Sequence, residues 1–491
     1  MGKFLRCLIV VQCVYMFGVL NMCNSVAIKS NPGSEQEKIA GLIQIGDYTA
    51  ANQLIQNYLN QGNLPDSVRN KYLFEIELID RIRKDFQANR ADVMDYIKRF
   101  YPQINDSDMT RWEAAKSLET KIIDGEVHYF NRAARNLFRI DPEMIKVWKA
   151  QHPDAEITSG SGAKLDLDLH NAGIIEDAIK SGDMFVKPVR IRVKQSLEVK
   201  ANVVPDGEII RCWIPYPRLI PGRQQEIKLI QTQPPIHTLA PEDALQRTIY
   251  FEKPAIADDQ TFFSTEYVIT SHGVFQPIDP ELVKKPELNN FLEENLKEEA
   301  PHIVFSPALK ELSESIIGAE QNPYRQAQAL FAWVDNNTPW ASAREYSTIR
   351  CIPEYAYENG HGDCGIQTLL LITLCRMNGI PARWQSGWEL QPPDDSMHDW
   401  GMIYFEPYGW VPMDVTYGLR NSEEPELHWF YLNGMDSYRI IFNDGFSRPF
   451  SPGKTYPRSE TVDSQRGEVE WSGGNLYFDQ WRWNFEWEIL E

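Results

Sequence analysis

The chain has 491 residues, of which 43% are hydrophobic and 12% aromatic, so it can bury the cores of about two to four domains. Its formal net charge of −20 argues against nucleic acids and anionic membranes as partners. The sequence holds no Cys-x-x-Cys pair and no His-x-x-x-His pair. No catalytic zinc and no cofactor are therefore predicted, although a calcium site built from scattered carboxylates stays open.

Residues 1–27 have the features of a signal peptide. Lys3 and Arg6 precede a long apolar run, and a site resembling Ala-x-Ala ends at Ala27. Cleavage there takes the net charge from −20 to −22, because the leader holds these two cations and no acid. No later run of about 18 apolar residues predicts a membrane-spanning segment. We expect an exported protein that is periplasmic, at the cell surface or secreted, with lipidation at Cys23 as the alternative end of the leader.

The next two segments are predicted to be a helical domain and a linker. Residues 28–150 show a helical pattern without a recurring repeat period, which indicates a helical domain rather than a repeat array. Residues 151–185 hold clusters of Gly and Asp, typical of a loop or linker.

From residue 186 to residue 276 the hydrophobic period changes to two. Val189, Ile191 and Val193 alternate with basic residues, and several short runs of the same kind follow with turn residues between them. Short strands at this spacing are typical of a β-sandwich. We predict an accessory β-sandwich domain that covers or frames a neighbouring cleft, with carbohydrate binding as the alternative role.

Residues 280–420 contain the segments with the most chemical content. After a helical pattern up to residue 336, a glycine-rich turn around His361 leads into Cys364 and an apolar stretch that ends at Met377. That stretch is apolar on most faces, which predicts a buried central helix. The unpaired N–H groups and partial positive charge at a helix N-terminus favour a thiolate, so Cys364 is the candidate nucleophile. A structural thiol is the alternative for Cys364, Asp363 is predicted to cap the helix, and His361 is a competing base.

A hairpin is predicted to place a histidine beside an aspartate. Residues 398–405 and 410–415 are predicted strands, and a three-residue turn at 406–408 would pair Phe405 with Gly409. Asp414 then lies opposite Trp400, with His398 as its diagonal neighbour on the same face, roughly 7–8 Å away between backbones. Asp399 points to the opposite face and is predicted to be a surface charge.

Four motifs together resemble the core of the bacterial transglutaminase-like superfamily over about residues 310–420. They are Gly-Asp-Cys364-Gly, Gly-Ile-Pro-Ala-Arg383, His398-x-Trp and Gly-Trp-Val-Pro-x-Asp414. The resemblance implies an α+β multidomain protein with a papain-like catalytic core, in which Cys364 is the nucleophile, His398 the base and Asp414 the residue that orients the imidazole. The superfamily includes acyl-transfer crosslinkers, thiol peptidases, amidases and inactive members, so the resemblance does not select one activity.

Four tryptophans near these motifs are predicted to line the substrate cleft: Trp340, Trp384, Trp388 and Trp410. The resemblance suggests that the region of Trp340 packs near the cysteine and helps to bind the oxyanion, with core packing as the alternative. The backbone N–H of Cys364 is the other expected oxyanion donor.

Residues 421–491 are predicted to form a C-terminal β unit. Large apolar residues alternate with polar ones from Trp481 to Ile489, as in a half-buried strand that packs on the catalytic or sandwich domain.

Taken together, these patterns predict an exported thiol enzyme that cleaves amide bonds of peptides or glycopeptides through an acyl-enzyme on Cys364. Transfer of the acyl group to an amine is the first alternative. The second alternative is a protein without catalytic activity that binds glycans or peptides on a transglutaminase-like scaffold.

Overall fold

The computed structural model describes residues 35–60, 64–152 and 165–490. The predicted signal peptide and Cys23 lie outside the described residues, as does most of the Gly- and Ser-rich part of the predicted linker. No helix in the described ranges is long and apolar enough to cross a membrane.

The first unit of the fold is mainly helical, in agreement with the hydrophobic pattern. Asn89 and Asn105 each begin a helix as part of a capping box, which satisfies backbone N–H groups that would otherwise lack a partner. A short antiparallel hairpin interrupts the helices, and Ile122 on its first strand is exposed because the pair has one open face. The elements are α1 (Glu35–Ile45), α2 (Tyr48–Asn60), α3 (Asp66–Asp85), α4 (Arg90–Lys98), α5 (Asp106–Ala114), β1 (Thr120–Ile123), β2 (Glu126–Tyr129), α6 (Ala133–Ile140) and α7 (Pro142–Gln151).

The described part of the predicted linker is a helix, α8 (Leu167–Ser181), and not a loop. Asp166 caps its start, and Gly182 ends it in the left-handed region. Ile174 is fully buried and lies against Gly273, where a side chain would collide with it. Two of the Asp and Gly residues in the region that suggested a loop, Asp166 and Gly182, therefore mark the ends of this helix.

A set of strands follows over the region predicted as a sandwich. They are β3 (Phe185–Val199), β4 (Ile209–Pro215), β5 (Gln224–Gln233), β6 (Thr238–Leu239), β7 (Thr248–Pro254) and β8 (Thr261–Phe275). Five helices and the strands of another sheet come next: α9 (Asn290–Glu294), α10 (Pro307–Ile317), α11 (Pro323–Asn337), α12 (Ile352–Asn359), α13 (Cys364–Met377), β9 (Ala382–Glu389), β10 (Ser396–Phe405) and β11 (Gly409–Met413). The chain ends with α14 (Pro425–His428), α15 (Phe430–Asn433), β12 (Gly434–Met435), β13 (Arg439–Asn443), β14 (Glu468–Trp471), β15 (Gly474–Leu476) and β16 (Trp481–Leu490).

Two five-stranded sheets pack face to face over one apolar core and form the sandwich. One sheet has the order β12-β8-β3-β16 with β5 on β8, and the other has the order β15-β14-β4-β7-β6. The last strands of the chain therefore complete both sheets. Because β13 pairs with β9 instead, the segment predicted as a separate C-terminal unit is divided between the sandwich and the second fold unit.

The second fold unit is a four-stranded antiparallel sheet of order β11-β10-β9-β13 with the buried helix α13 against it. Residues 365–376 of α13 are all buried, which confirms the prediction of a central helix. The fold is thus α+β, as predicted, and α13, β10 and β11 hold the residues singled out from the sequence.

Candidate active site

Cys364 is the first residue of α13 and is partly exposed to solvent. The Asp363 side chain caps the helix by accepting a hydrogen bond of 3.2 Å from the Ile366 backbone N–H, which confirms the predicted cap. The backbone N–H groups of a helix's first turn have no partner within the helix, so those that the cap does not use are available to an anionic atom beside the sulfur. A thiol on a rigid helix with free donors nearby is a suitable position for a nucleophile.

The hairpin formed by β10 and β11 has the predicted register. Phe405 pairs with Gly409, and Gly401 pairs with Met413. The Nε2–H of His398 donates a hydrogen bond of 2.8 Å to Oδ2 of Asp414, so the predicted contact between these two side chains is present. Both side chains are buried.

The sulfur of Cys364 contacts a different residue from the one predicted. Its Sγ–H donates to Oδ2 of Asp399 at 3.4 Å. Consecutive residues of a strand point to opposite faces, so His398 faces away from the sulfur that Asp399 faces. Among the described residues, no hydrogen bond joins Cys364 to His398. The prediction that Asp399 is a surface charge was wrong, because the residue is only 4% exposed.

Asp399 belongs to a buried network that comes from three parts of the chain. Its Oδ2 accepts a hydrogen bond of 3.2 Å from the Tyr346 hydroxyl, and its Oδ1 accepts one of 2.8 Å from Gln465 Nε2. A second carboxyl, that of Asp463, is hydrogen-bonded to it and accepts a bond of 2.5 Å from Ser386 Oγ.

The electrostatic surroundings of the sulfur favour the thiol form. Burial raises the pKa of Cys364 well above its ordinary value, and the negative charges of Asp399 and Asp363 raise it further. Burial also raises the pKa of Asp399 itself, as do the charges of Asp463 and Asp363. A carboxylate with a raised pKa is a stronger base. The charge of Asp399 disfavours the thiolate of Cys364, and the same carboxylate is hydrogen-bonded to the thiol and so is placed to accept the thiol proton.

On the other face of β10, His398 belongs to a second charged network. Oδ2 of Asp414 also accepts a hydrogen bond of 2.5 Å from Nη1 of Arg439, whose Nε donates to Asp436 at 2.8 Å. Burial alone would raise the pKa of Asp414, but the positive charges of His398 and Arg439 outweigh it and lower the pKa to about 2. Burial alone would lower the pKa of His398, but the charges of Asp414 and Glu389 raise it.

His361, the competing base, is buried with its ring edge-on to Tyr355, and among the described residues it makes no hydrogen bond to the sulfur. Burial lowers the pKa of His361 to about 4, so the imidazole is neutral.

The four predicted cleft tryptophans occupy different environments. Trp384 and Trp388 are 1% and 2% exposed, and Trp388 stacks on Phe485 of β16 with 3.9 Å between ring centroids. Neither lines an open cleft, because the two lie inside the apolar cores of the second fold unit and of the sandwich. Trp410 is partly buried under Arg383, whereas Trp340 is 42% exposed and pairs through its backbone with Gly362 in the turn before the cysteine.

Several residues of these networks were not singled out from the sequence. Tyr346 lies in a short turn, Asp463 and Gln465 lie between β13 and β14, and Arg439 begins β13. None stands in a motif, and Arg439, Asp463 and Gln465 are distant in sequence from the cysteine. In the described ranges, no group of three or more His, Cys, Asp or Glu residues is arranged to hold a metal ion.

Residues 310–415 match the family model of the transglutaminase-like superfamily. This match confirms the resemblance predicted from the four motifs. The chain matches no curated protein at significant sequence similarity.

Solved structures provide three further comparisons. A candidate cysteine protease from Cytophaga hutchinsonii is 16% identical, with a TM-score of 0.42, over 62% of this chain and 92% of its own. The periplasmic domain of TgpA from Pseudomonas aeruginosa is 14% identical, with a TM-score of 0.24, over 53% of this chain and 95% of its own. A candidate protease from Parabacteroides distasonis is 10% identical, with a TM-score of 0.20, over 52% of this chain and 68% of its own. At these TM-scores none of the alignments bears on the mechanism.

Proposed function

We propose that this chain is an exported thiol enzyme that hydrolyses amide bonds of peptides or glycopeptides through an acyl-enzyme on Cys364. The observation on which the proposal depends is a partly exposed thiol on the first residue of a buried helix, hydrogen-bonded to a buried carboxylate, inside the transglutaminase-like segment. Export is supported by the composition of residues 1–27.

In the proposed reaction, Cys364 gives its proton to Asp399 and its sulfur attacks the carbonyl carbon of the amide. The oxyanion formed on the carbonyl oxygen is stabilised by the backbone N–H of Cys364. The C–N bond then breaks, and the leaving amine takes a proton from Asp399. Water then attacks the thioester carbon and gives a proton to Asp399. The C–S bond breaks, the acid is released, and the sulfur takes the proton back from Asp399 to restore the thiol.

We assign the proton acceptor to Asp399 because the thiol hydrogen bond runs to this residue. The scheme expected from the resemblance assigns the same role to His398, with Asp414 as its orienting partner. In the structure these two residues form their own pair on the other face of the strand. The two schemes make opposite predictions for variants at neighbouring positions.

The experiment that tests the proposal measures alkylation of Cys364 by iodoacetamide from about pH 6 to about pH 9, together with turnover of a peptide and glycopeptide pool followed by mass spectrometry. Asp399→Asn should speed alkylation, because no carboxylate charge opposes the thiolate, and should abolish turnover, because no group accepts the proton. His398→Ala should leave both nearly unchanged. If His398→Ala slows both instead, the imidazole is the base and Asp399 is not. An added amine donor separates transfer from hydrolysis by the mass of the product.

A second function, a transglutaminase-like scaffold without catalytic activity, is favoured by one specific observation. The groups around the sulfur raise the pKa of Cys364, and the only nearby imidazole of the motif set faces away. On this alternative, alkylation is slow in the wild type up to about pH 9, and no peptide product appears in any variant.

A further inference from the structure

Three arginines form an exposed positive face beside the segment that leads to Cys364. Arg132 directly precedes α6, and Arg135 and Arg139 follow at intervals of three and four residues, so the three side chains share one face of the helix. Arg132 and Arg135 are exposed. None of the three makes an ion pair within the described residues. A cluster of uncompensated cations is unexpected in a chain with a net charge of −20.

Direct contacts hold this arginine face against the segment containing Trp340. The guanidinium of Arg139 lies 4.6 Å from the centroid of the exposed Trp340 ring, and its Nη1 donates a hydrogen bond of 3.0 Å to Ser342 Oγ. Asn136 Nδ2 donates to the Ser342 carbonyl at 2.8 Å, and Asn136 Oδ1 accepts from the Ser342 N–H at 3.0 Å. These bonds fix α6 relative to residues 340–342.

The same segment is bonded to the turn that precedes the thiol. The Ala341 N–H donates to the Gly362 carbonyl at 2.9 Å, and the Gly362 N–H donates to the Pro339 carbonyl at 3.2 Å. Gly362 is two residues before Cys364. The arginine face and Trp340 are therefore joined by direct contacts to the turn that ends at the thiol, while Asp399 contacts the sulfur itself.

The cations of this face are not neutralised by neighbours. Burial lowers the pKa of Arg139, and the positive charges of Arg135 and Arg132 lower it further. An anion bound between them would relieve this repulsion. A carboxylate is the natural ligand, because a guanidinium presents parallel N–H donors that match its two oxygens.

We propose that Arg132, Arg135 and Arg139, together with Trp340, bind carboxylate groups of an acidic peptide whose amide bond is presented to Cys364. The role of this site as a substrate subsite rests on the proposed function. Binding of the peptide does not depend on catalysis by Cys364. The acidic groups around the sulfur repel the same carboxylates, so the charged part of the peptide is held at the arginine face and away from Asp399. A peptide is favoured over a nucleic acid because the positive face is small within a strongly acidic protein.

The test measures binding by calorimetry to the Cys364→Ala variant, which cannot turn over. The probe is an acetylated, amidated tetrapeptide with two glutamates, and its control is the same peptide with two glutamines. Arg132→Gln/Arg135→Gln should weaken binding of the glutamate peptide about five- to tenfold, and about 0.5 M sodium chloride should weaken it similarly. Binding of the glutamine peptide should not change. Arg190→Gln is the matched control, because this arginine is exposed on β3 of the sandwich.

A second measurement connects the arginine face to the thiol. In the protein with Cys364 intact, the glutamate peptide should slow alkylation of that cysteine by iodoacetamide, and the double arginine variant should lose this protection. Binding of both peptides with equal affinity, loss of binding in Arg190→Gln as well, or competition by inorganic phosphate at equal concentration would overturn the proposal. Binding without protection would also overturn it, since the site would then be unconnected to Cys364. Absence of turnover in the wild type would count against the proposed function alone.

Discussion

Replacement of Arg439 by methionine should destabilise the protein strongly, because the guanidinium is the cation between two buried carboxylates. Arg439, Asp414 and Asp436 are each 0% exposed, and Arg439 donates to Asp414 at 2.5 Å and to Asp436 at 2.8 Å. Methionine keeps much of the apolar volume near Trp400 and Tyr417. The cost therefore comes from the lost cation, about 3–5 kcal/mol of unfolding free energy, because Asp436 loses its ion pair and Asp414 keeps only the one with His398.

The dependence on pH gives this prediction a sign that can be checked. The pKa of Asp414 is about 2 in the folded protein against 3.8 ordinarily, which contributes about 2 kcal/mol above pH 4. Because the folded pKa is the lower one, this contribution is lost as the pH falls from about 4 to about 2. Without Arg439 the pKa of Asp414 rises, so Arg439→Met should lose less stability than the wild type over the same interval.

Urea denaturation followed by tryptophan fluorescence, at neutral pH and near pH 3, measures both effects. Arg192→Met is the matched control, since Arg192 forms exposed ion pairs with Glu266 and Glu488 and its loss should cost less than about 1 kcal/mol. Addition of Asp436→Asn to Arg439→Met should recover part of the loss, because it removes the buried carboxylate whose ion pair with Arg439 was lost. A cost for Arg439→Met as small as that of the control would refute the reasoning.

Three further predictions concern the region around the thiol and its support. Gly365→Ala should lower the melting temperature and alter alkylation of Cys364, because its new methyl group would collide with the Tyr346 hydroxyl oxygen. The expected loss of unfolding free energy is about 1–3 kcal/mol. Trp388→Ala should cost about 3–5 kcal/mol in urea denaturation, since the ring is buried and stacked on Phe485; a loss below about 1 kcal/mol would contradict its assignment to the core. Cys375 should resist iodoacetamide below about pH 9, because burial raises its pKa to about 12, and peptide mapping that finds it modified in the folded protein would be the contrary result.

Local sequence patterns were sufficient for the hairpin that pairs His398 with Asp414. Turn length fixes the register of a hairpin, and the register fixes which residues share a face. The pairing of Phe405 with Gly409 and the bond between the histidine and the aspartate follow from these two rules alone. The central helix was equally predictable, because its apolar residues cover most faces.

Contacts between distant segments were not predictable in the same way. Asp463 and Gln465 reach Asp399 from a segment without a motif, and β16 reaches β3 from the end of the chain. The prediction that Trp384 and Trp388 line the substrate cleft was wrong for the same reason. Trp384 and Trp388 are next to the motifs in sequence, but Trp384 lies in the core of the second fold unit and Phe485 of β16 stacks on Trp388.

The reason why Asp399, and not His398, faces the sulfur of Cys364 could not be read from the sequence. Alternation of hydrophobic and polar residues identifies the buried face of a strand only when the other face is exposed to water. Residues 398–401 of β10 are all buried, with α13 and the cysteine on one side and Arg439 on the other. The sequence therefore specifies that His398 and Asp414 share a face, but it contains no signal for which face meets the thiol. The packing of α13 decides that question, and it places a carboxylate next to the sulfur. In the proposed function the assignment of the base consequently depends on a tertiary contact, which is why variants at positions 398 and 399 distinguish the two schemes where the motif does not.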